Sequence, residues 1–259
     1  MPSWNIHTAH VERLLSEGAP LDFGIADVNA FLFGNYVPDI YVGFMVPDAS
    51  YRIDYCVTHF ARPNMTPLPN SDHFWDDYVV RRRADDPASV SLALGAWAHL
   101  LADRVYNGRV RLFCQTHDVP KGEELRVRKQ ADFDAFGRSL RMESRVQVTP
   151  ELLDAACSFR QYEIKAEDVV RSVDVADAIV DRAGAESRGT YQLLGEGWMN
   201  ATFDLCGDLM AEWLRTWRRR ASEGRAVRAS DIWADVSVSR DTFMPEGVLQ
   251  GCALRVSSA

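Results

Sequence analysis

The segment from Val90 to Tyr106 constrains the fold most, because apolar residues occur on every side of a helix drawn through it. That pattern is typical of a helix that runs through a protein core rather than along its surface. His99 and Asp103 stand four residues apart within it and therefore share one helix face, with Gly95 leaving space one turn earlier. An unpaired charge in such a place costs several kcal/mol, roughly, so the pair must be hydrogen-bonded, ion-paired or bound to a metal.

The composition indicates a soluble globular protein without a broad charged surface for nucleic acid. Its 259 residues are 47% hydrophobic and 25% charged, for which one domain is the default. The 29 basic and 37 acidic residues give a net charge of -8, which disfavours stable binding to nucleic acid or to an anionic membrane. A small phosphate ester remains a compatible partner if a metal ion binds it.

The chain has no signal-peptide pattern and no stretch of about 18 apolar residues, so it is predicted to lack a transmembrane segment and to stay unsecreted. Five cysteines are scattered without a C-x-x-C spacing: Cys56, Cys114, Cys157, Cys206 and Cys252. Free thiols and a cytoplasmic location are therefore expected.

Periodic apolar patterns predict helices along most of the chain. Besides the core helix, these are an N-terminal helix that points His7 inward, a helix that begins at Pro150 after the N-cap Thr149, and the ranges 71–83, 123–144, 166–182 and 191–221. Residues 235–240 alternate like a strand. The sequence predicts an all-α, single-domain, multi-helix bundle over 1–225. A short irregular or strand-like C-terminal tail over 226–259 is predicted to pack on the bundle or extend from it.

The longest predicted helix, 191–221, has a polar stripe opposite its apolar stripe, formed by Glu196, Asn200, Asp204 and Asp208. A row of such side chains at i, i+4 spacing suggests metal ligands. Because the row lies away from the apolar stripe, a solvated helix face is the favoured interpretation. We assign these residues no function.

The chain offers few candidate nitrogen ligands, namely His7, His10, His59, His73, His99 and His117. His7 and His99 face helix interiors, and His59 lies in a proline-rich loop. The other three lie beside an apolar face or in polar surroundings. Taken alone, any one of the six is more often a structural histidine than a ligand.

Four motifs occur in order: MPSWNIH ending at His7, GNYVPD ending at Asp39, THF around His59, and GAWAHLLAD from Gly95 to Asp103. They cover roughly the first 105 residues. Together they resemble the zinc-dependent phospholipase C family, all-helical hydrolases whose clustered zinc ions cleave phosphate esters. The resemblance is to a non-secreted branch more than to the secreted phospholipases, and it implies the multi-helix bundle of that family.

The resemblance implies that Asp39, His59, His99 and Asp103 surround one zinc ion. It also implies that Asp103 bridges to a second ion held partly by His7. Imidazole nitrogen and carboxylate oxygen ligands suit Zn²⁺ chemically, and one or two ions are expected.

The chain departs from the family pattern at two places. The secreted enzymes use the amino group of an N-terminal tryptophan, whereas Trp4 is internal here and only a Pro2 amine exposed by loss of Met1 would replace it. No counterpart of the downstream histidine and glutamate ligands follows Asp103. Asp132 is the best substitute ligand, with Asp134 weaker, although an exposed Asp132 in a charged helix is the favoured alternative.

The function that the resemblance implies is phosphate-ester hydrolysis by a metal-activated water, on a phosphodiester, phosphomonoester or phospholipid. Two ions about 3.5–4 Å apart would lower the pKa of a bound water and neutralise phosphoryl charge. Asp39 is predicted to be both ligand and proton acceptor. Asn35 and Tyr36 are predicted to contact the substrate or to orient the ligands.

Two other functions fit the sequence. The first is a non-enzymatic helical interaction module in which a structural metal or a buried His99–Asp103 pair stabilises the core. The second is an HD-type phosphohydrolase, which requires an adjacent His-Asp doublet. The doublet His117-Asp118 lies in a polar, looped segment before Pro120, and this context ranks the HD-type reading well below phosphate-ester hydrolysis of the phospholipase C type.

Overall fold

A computed structural model describes residues 2–64, 66–82, 86–184 and 190–244. The α-helices in these ranges are α1 (Trp4–Ser16), α2 (Val28–Gly34), α3 (Tyr55–Thr58), α4 (Ser71–Phe74), α5 (Pro87–Thr116), α6 (Glu123–Ser139), α7 (Pro150–Cys157), α8 (Ala166–Val180), α9 (Glu196–Ser222) and α10 (Ala229–Trp233). Shorter helical turns follow 3-10 geometry at Pro20–Phe23, Val37–Asp39, Val80–Arg82 and Arg240–Thr242, and π geometry at Trp75–Val79. The described ranges contain no strand, so the all-α prediction is confirmed.

Helix α5 forms the centre of the molecule, as the apolar pattern predicts. The side chain of Asp86 accepts a hydrogen bond from the backbone N–H of Ser89 at 3.0 Å, and Pro87 occupies the first turn. The helix has 30 residues, a length of about 45 Å. Every residue from 91 to 108 is buried, so the helix runs through the core and extends ten residues beyond the predicted end at Tyr106.

Two glycines let α2 approach α5 until their backbones touch. A Cβ atom on Gly95 would lie 2.0 Å from the carbonyl oxygen of Phe31, and one on Gly34 would lie 2.1 Å from that of Leu92. The space left by Gly95 is thus filled by backbone. Asn35 follows α2 directly and accepts a hydrogen bond from His99 through its carbonyl, so the Val37–Asp39 turn begins near the face of α5 that carries His99.

Helix α1 packs against α6, α8 and α9. At its contact with α9, Arg13 forms ion pairs with Asp204 at 2.8 Å and Asp208 at 2.5 Å. Both carboxylates are more than 60% exposed, so this stripe of α9 lies at the surface, as predicted.

Two further predicted boundaries and one predicted helix differ from the structure. Helix α9 begins at Glu196 rather than at residue 191, and α6 ends at Ser139 rather than at residue 144. Beyond α6 the backbone N–H groups of Glu143 and Ser144 donate to the Glu12 carboxylate at 2.7 and 2.6 Å, which replaces helical hydrogen bonding. The range predicted as one helix from residue 71 changes from α to π to 3-10 geometry.

The C-terminal tail is irregular between α10 and the Arg240–Thr242 turn, and the strand predicted at 235–240 is absent there. A strand requires a neighbouring strand for its backbone hydrogen bonds, and the described chain provides none. Instead, the N–H of Ser237 donates to Glu212 at 2.7 Å. Phe243 and Met244 are buried in the core, so the described tail packs on the bundle.

Cys56, Cys114, Cys157 and Cys206 are free, as expected, and Cys252 lies outside the described residues. Among the helices of the described ranges, none has both the length and the apolar character needed to span a membrane.

Candidate metal centre

Four separate elements bring five predicted ligands together in the core. His7 comes from α1, Asp39 from the 3-10 turn, His59 from the end of α3, and His99 and Asp103 from one face of α5. All five side chains are buried, and even the most accessible, Asp39, is only 6% exposed. The structure therefore assembles a buried histidine–aspartate cluster that can hold a metal ion.

One part of the cluster is arranged around the Nε2 atoms of His59 and His99, which lie 3.3 Å apart. The Asp39 carboxylate lies 3.6 Å from His59 Nε2 and 3.8 Å from His99 Nε2. Asp103 Oδ2 lies 3.6 and 3.9 Å from the same two atoms. Ligand atoms about 2.0–2.1 Å from a tetrahedral zinc ion lie about 3.3 Å from one another, so these four side chains are close to the spacing of one such site.

The two oxygens of the Asp103 carboxylate face different histidines. Its Oδ2 atom points to His59 and His99, whereas its Oδ1 atom lies 3.4 Å from His7 Nε2. Asp103 Oδ1 and both ring nitrogens of His7 lack hydrogen-bond partners although they are buried. An unsatisfied buried polar atom costs about 1–3 kcal/mol, so this side of the cluster has ligand atoms without a partner.

Two overlapping groups, His7–His99–Asp103 and Asp39–His59–His99, have metal-site spacing. Both contain His99, whose Nδ1 donates to the backbone carbonyl of Asn35 at 2.9 Å and leaves only Nε2 to bind an ion. His99 can therefore serve one ion at a time. A second ion would depend on His7 and Asp103.

Backbone and hydroxyl groups orient the imidazoles from outside the cluster. The Thr58 hydroxyl lies 2.7 Å from His59 Nδ1, and the Asn35 amide donates to the carbonyl of His7 at 2.8 Å. A partner on one ring nitrogen fixes the tautomer of a metal-binding histidine, as the Asn35 carbonyl does for His99. Asn35 thus contacts the ring of His99 and the backbone of His7, and both of its predicted roles stay predictions.

Tyr36 lies away from the cluster's ligand atoms. Its hydroxyl pairs with that of Thr8 at 2.8 Å, and its ring stacks on Trp4 with centroids 4.6 Å apart. The side chain is buried in this packing. These contacts give Tyr36 a part in anchoring α1, and its predicted substrate contact stays a prediction.

Burial sets the charge state of the cluster. It lowers the pKa of His7 to about 4 and the pKa of His59 well below its ordinary value. Burial raises the pKa of Asp39 to about 6. Burial also opposes ionisation of Asp103, but the 3.4 Å contact with His7 and the surrounding imidazoles outweigh it and hold the pKa of Asp103 below its usual range. His7 and His59 are thus neutral electron-pair donors beside a buried anion, the state a divalent cation requires.

The structure places Asp132 elsewhere. Its carboxylate accepts hydrogen bonds from the backbone N–H groups of Gln192, Leu193 and Leu194 at 2.5, 2.8 and 2.7 Å. It belongs to neither group with metal-site spacing. The alternative of an exposed aspartate is wrong, because Asp132 is fully buried. Asp134 accepts a hydrogen bond from the side chain of Gln130 at 3.0 Å.

The remaining histidines also lie outside the cluster's ligand groups. His10 is buried, stacks on Phe203 and lies 3.2 Å from the Tyr106 hydroxyl. His73 pairs with Asp77 at the surface. His117 and Asp118 are both exposed at the end of α5, which leaves the His-Asp doublet without a buried site.

Two residues at this site were missed by sequence reasoning. The Tyr55 hydroxyl donates to Asp103 Oδ2 at 3.0 Å, and its ring stacks on that of His59. Lys129 is 4% exposed on the buried face of α6. Its position midway between Leu125 and Phe133, at i, i+4 spacing, is the sequence signal that marks it as inward-facing.

A cavity of about 420 Å³ adjoins the cluster. Asp39 and Tyr55 form part of its wall, and Lys129 and Arg126 contribute two basic groups. Most of the remaining lining is apolar and includes the exposed Phe44. Because Asp39 lines this space, the histidine–aspartate cluster has one side that a small molecule can reach.

The chain matches no protein-family model, no curated protein and no solved structure. The resemblance to zinc-dependent phospholipases C therefore stays a prediction. The case for a metal rests on the arrangement of the five side chains.

Proposed function

We propose that this protein is a metal-dependent hydrolase of phosphate esters and that its resident metal is zinc. The observation that carries the proposal is the approach of Asp39, His59, His99 and Asp103 to within 3.3–3.9 Å across the measured pairs, inside the core and beside a cavity. Neutral imidazoles together with carboxylates are ligands that zinc favours. His7 and Asp103 Oδ1 are the proposed ligands of a second ion.

Bound zinc supplies an activated water and neutralises charge on phosphoryl oxygens. Asp39 is the carboxylate that lines the cavity, so it is the group placed to accept a proton from a water there. Tyr55 lines the same cavity and positions Asp103 through its hydroxyl.

A helical protein with a structural metal and no catalysis is the second candidate. Structural zinc sites have four protein ligands, and Asp39, His59, His99 and Asp103 supply four. The accessible wall formed by Asp39 favours catalysis, because a ligand at a cavity can share its ion with water. Metal content and turnover, measured together, separate the two functions.

The test compares the wild-type protein with His99→Ala and, as a matched control, His73→Ala, whose imidazole pairs with Asp77 at the surface. Elemental analysis should find zinc in the wild type and the control and none in His99→Ala. Phenyl phosphate and diphenyl phosphate then serve as generic monoester and diester substrates, with turnover lost on chelation and restored by zinc.

Full zinc content in His99→Ala would overturn the metal assignment. Zinc in the wild type with no turnover of either ester would favour the structural role instead.

A further inference from the structure

Lys129 is a buried cation without an anionic partner. Its side chain projects from α6 between Leu125 and Phe133, with the ammonium 5.9 Å from the Phe133 ring centroid. Within the described ranges it has neither a hydrogen bond nor an ion pair. Little water reaches a side chain that is only 4% exposed, so an anion supplied from outside the chain would compensate this charge better than solvent does.

Lys129 lines the same cavity as Asp39 and Tyr55. Burial lowers its pKa to about 8, against the attraction of the Asp103 carboxylate, and the amine therefore stays largely protonated at neutral pH. Arg126 also lines the cavity, but its guanidinium is already paired with Glu123, with Nε 2.8 Å from Oε2. Of these two cavity cations, Lys129 is the one without a carboxylate partner in the described chain.

The other part of the cavity wall is apolar. Val42, Phe44 and Met45 lie there together, and Phe44 is 84% exposed. A ligand that fits both parts has a charged end beside Lys129 and Asp39 and an apolar end against these three side chains. A metal at the cluster would face the charged end.

We propose that the Lys129 ammonium binds the phosphoryl group of a phosphate monoester whose apolar substituent lies against Val42, Phe44 and Met45. This inference rests on the proposed function, because the same phosphoryl group would face the metal centre. A monoester carries close to two negative charges at neutral pH, since its second pKa is about 6, whereas a diester carries one. Lys129 matches the additional charge and so selects the monoester.

The test replaces Lys129 with Met, which removes the charge and suits the apolar neighbours, and with Arg, which keeps the charge. Lys121→Met is the matched control, because Lys121 is exposed and does not line the cavity. Calorimetry on the zinc-loaded proteins measures the Kd of inorganic phosphate, phenyl phosphate and diphenyl phosphate. Elemental analysis measures zinc in every variant.

We expect Lys129→Met to weaken phosphate and phenyl phosphate binding by about 10- to 100-fold, the value of a charge-assisted hydrogen bond. The binding of diphenyl phosphate should weaken by less than about threefold, since this diester lacks the second negative charge. Lys129→Arg should recover most of the monoester affinity, and all variants should keep their zinc.

Equal weakening of the monoester and the diester, no weakening of either, or loss of zinc in Lys129→Met would overturn the inference, as would a wild type that binds no phosphate. These binding measurements need no turnover. Failure of hydrolysis alone would count against the proposed function and not against the anion site.

Discussion

Two fully buried aspartates, Asp103 and Asp132, show how differently the same side chain can be used in one core. Asp132 accepts three backbone hydrogen bonds from residues 192–194. Asp103 accepts one from the Tyr55 hydroxyl, and its other oxygen has no hydrogen-bond partner. Burial alone therefore does not identify a metal-binding carboxylate; the donors around it do.

The surroundings explain the difference. N–H groups complete the hydrogen bonding of Asp132, and a metal there would have to displace them. Asp103 is surrounded by imidazoles, of which His7 and His59 have pKa values lowered by burial and so offer lone pairs. A cation between such a lone pair and a carboxylate would satisfy both groups. Asp132 is thus satisfied by the backbone, whereas Asp103 belongs to a cluster that could hold an ion.

The strongest test of this contrast is Asp103→Asn. The amide keeps the volume of the side chain and removes its charge, and we expect the variant to lose its zinc and the stabilisation that zinc provides. Bound ligand stabilises the native state by about 4 kcal/mol at a thousandfold excess over Kd, so a chelator should lower the Tm of the wild type and leave that of Asp103→Asn unchanged. Thermal unfolding with and without chelator measures both.

Asp168→Asn is the control, because Asp168 is equally buried but bonded to the Tyr41 hydroxyl at 2.9 Å and to Arg171 at 2.6 Å. Its chelator-dependent change in Tm should match that of the wild type. If a chelator lowered the Tm of Asp103→Asn as much as that of the control, Asp103 would not be the aspartate that binds zinc.

The converse test is Asp132→Ala, which removes three hydrogen bonds from the segment preceding α9. We expect the free energy of unfolding to fall by about 3 kcal/mol, since the backbone donors are left unpaired, while zinc content stays unchanged. Denaturant unfolding of the zinc-loaded protein measures the loss. Asp134→Ala, on the same helix, should change stability by less than about 0.5 kcal/mol. Zinc loss in Asp132→Ala would place that carboxylate in the metal centre after all.

The core helix was within reach of sequence reasoning. An apolar pattern around all sides of 90–106 requires a core helix, and the Asp86-Pro87 and Thr149-Pro150 pairs are local capping signals. The helix and its caps depend on residues near one another in the chain. No local pattern predicts that His7, Asp39 and His59 converge on that helix, and only the resemblance implied it.

The parts that were missed depend on distant partners. Asp132 was predicted as a candidate ligand because its hydrogen-bond donors, the N–H groups of residues 192–194, lie sixty residues away. No residue near Asp132 in the sequence indicates that they reach it. The alternation at 235–240 resembled a strand, but a strand needs a partner that the fold does not supply there. The spacing of Lys129 from Leu125 and Phe133 indicates that it faces inward. Its position in the wall of the cavity, however, depends on how α6 packs against the rest of the fold.

The surroundings of a third buried aspartate, Asp39 at the cavity, predict how zinc binding should depend on pH. Its pKa is raised to about 6, so below that pH zinc must displace a proton from Asp39, and the apparent zinc affinity should fall about tenfold per pH unit. The lowered pKa of His7 keeps that imidazole neutral down to about pH 4, so His7 adds nothing above that pH to the pH dependence of zinc affinity.

A competition titration against a chelating indicator, from about pH 7 to about pH 4.5, measures how the zinc affinity changes with pH. Asp39→Asn should bind zinc more weakly but with little dependence on pH in this range. A pH dependence in Asp39→Asn as steep as that of the wild type would show that Asp39 is not the group whose proton zinc displaces.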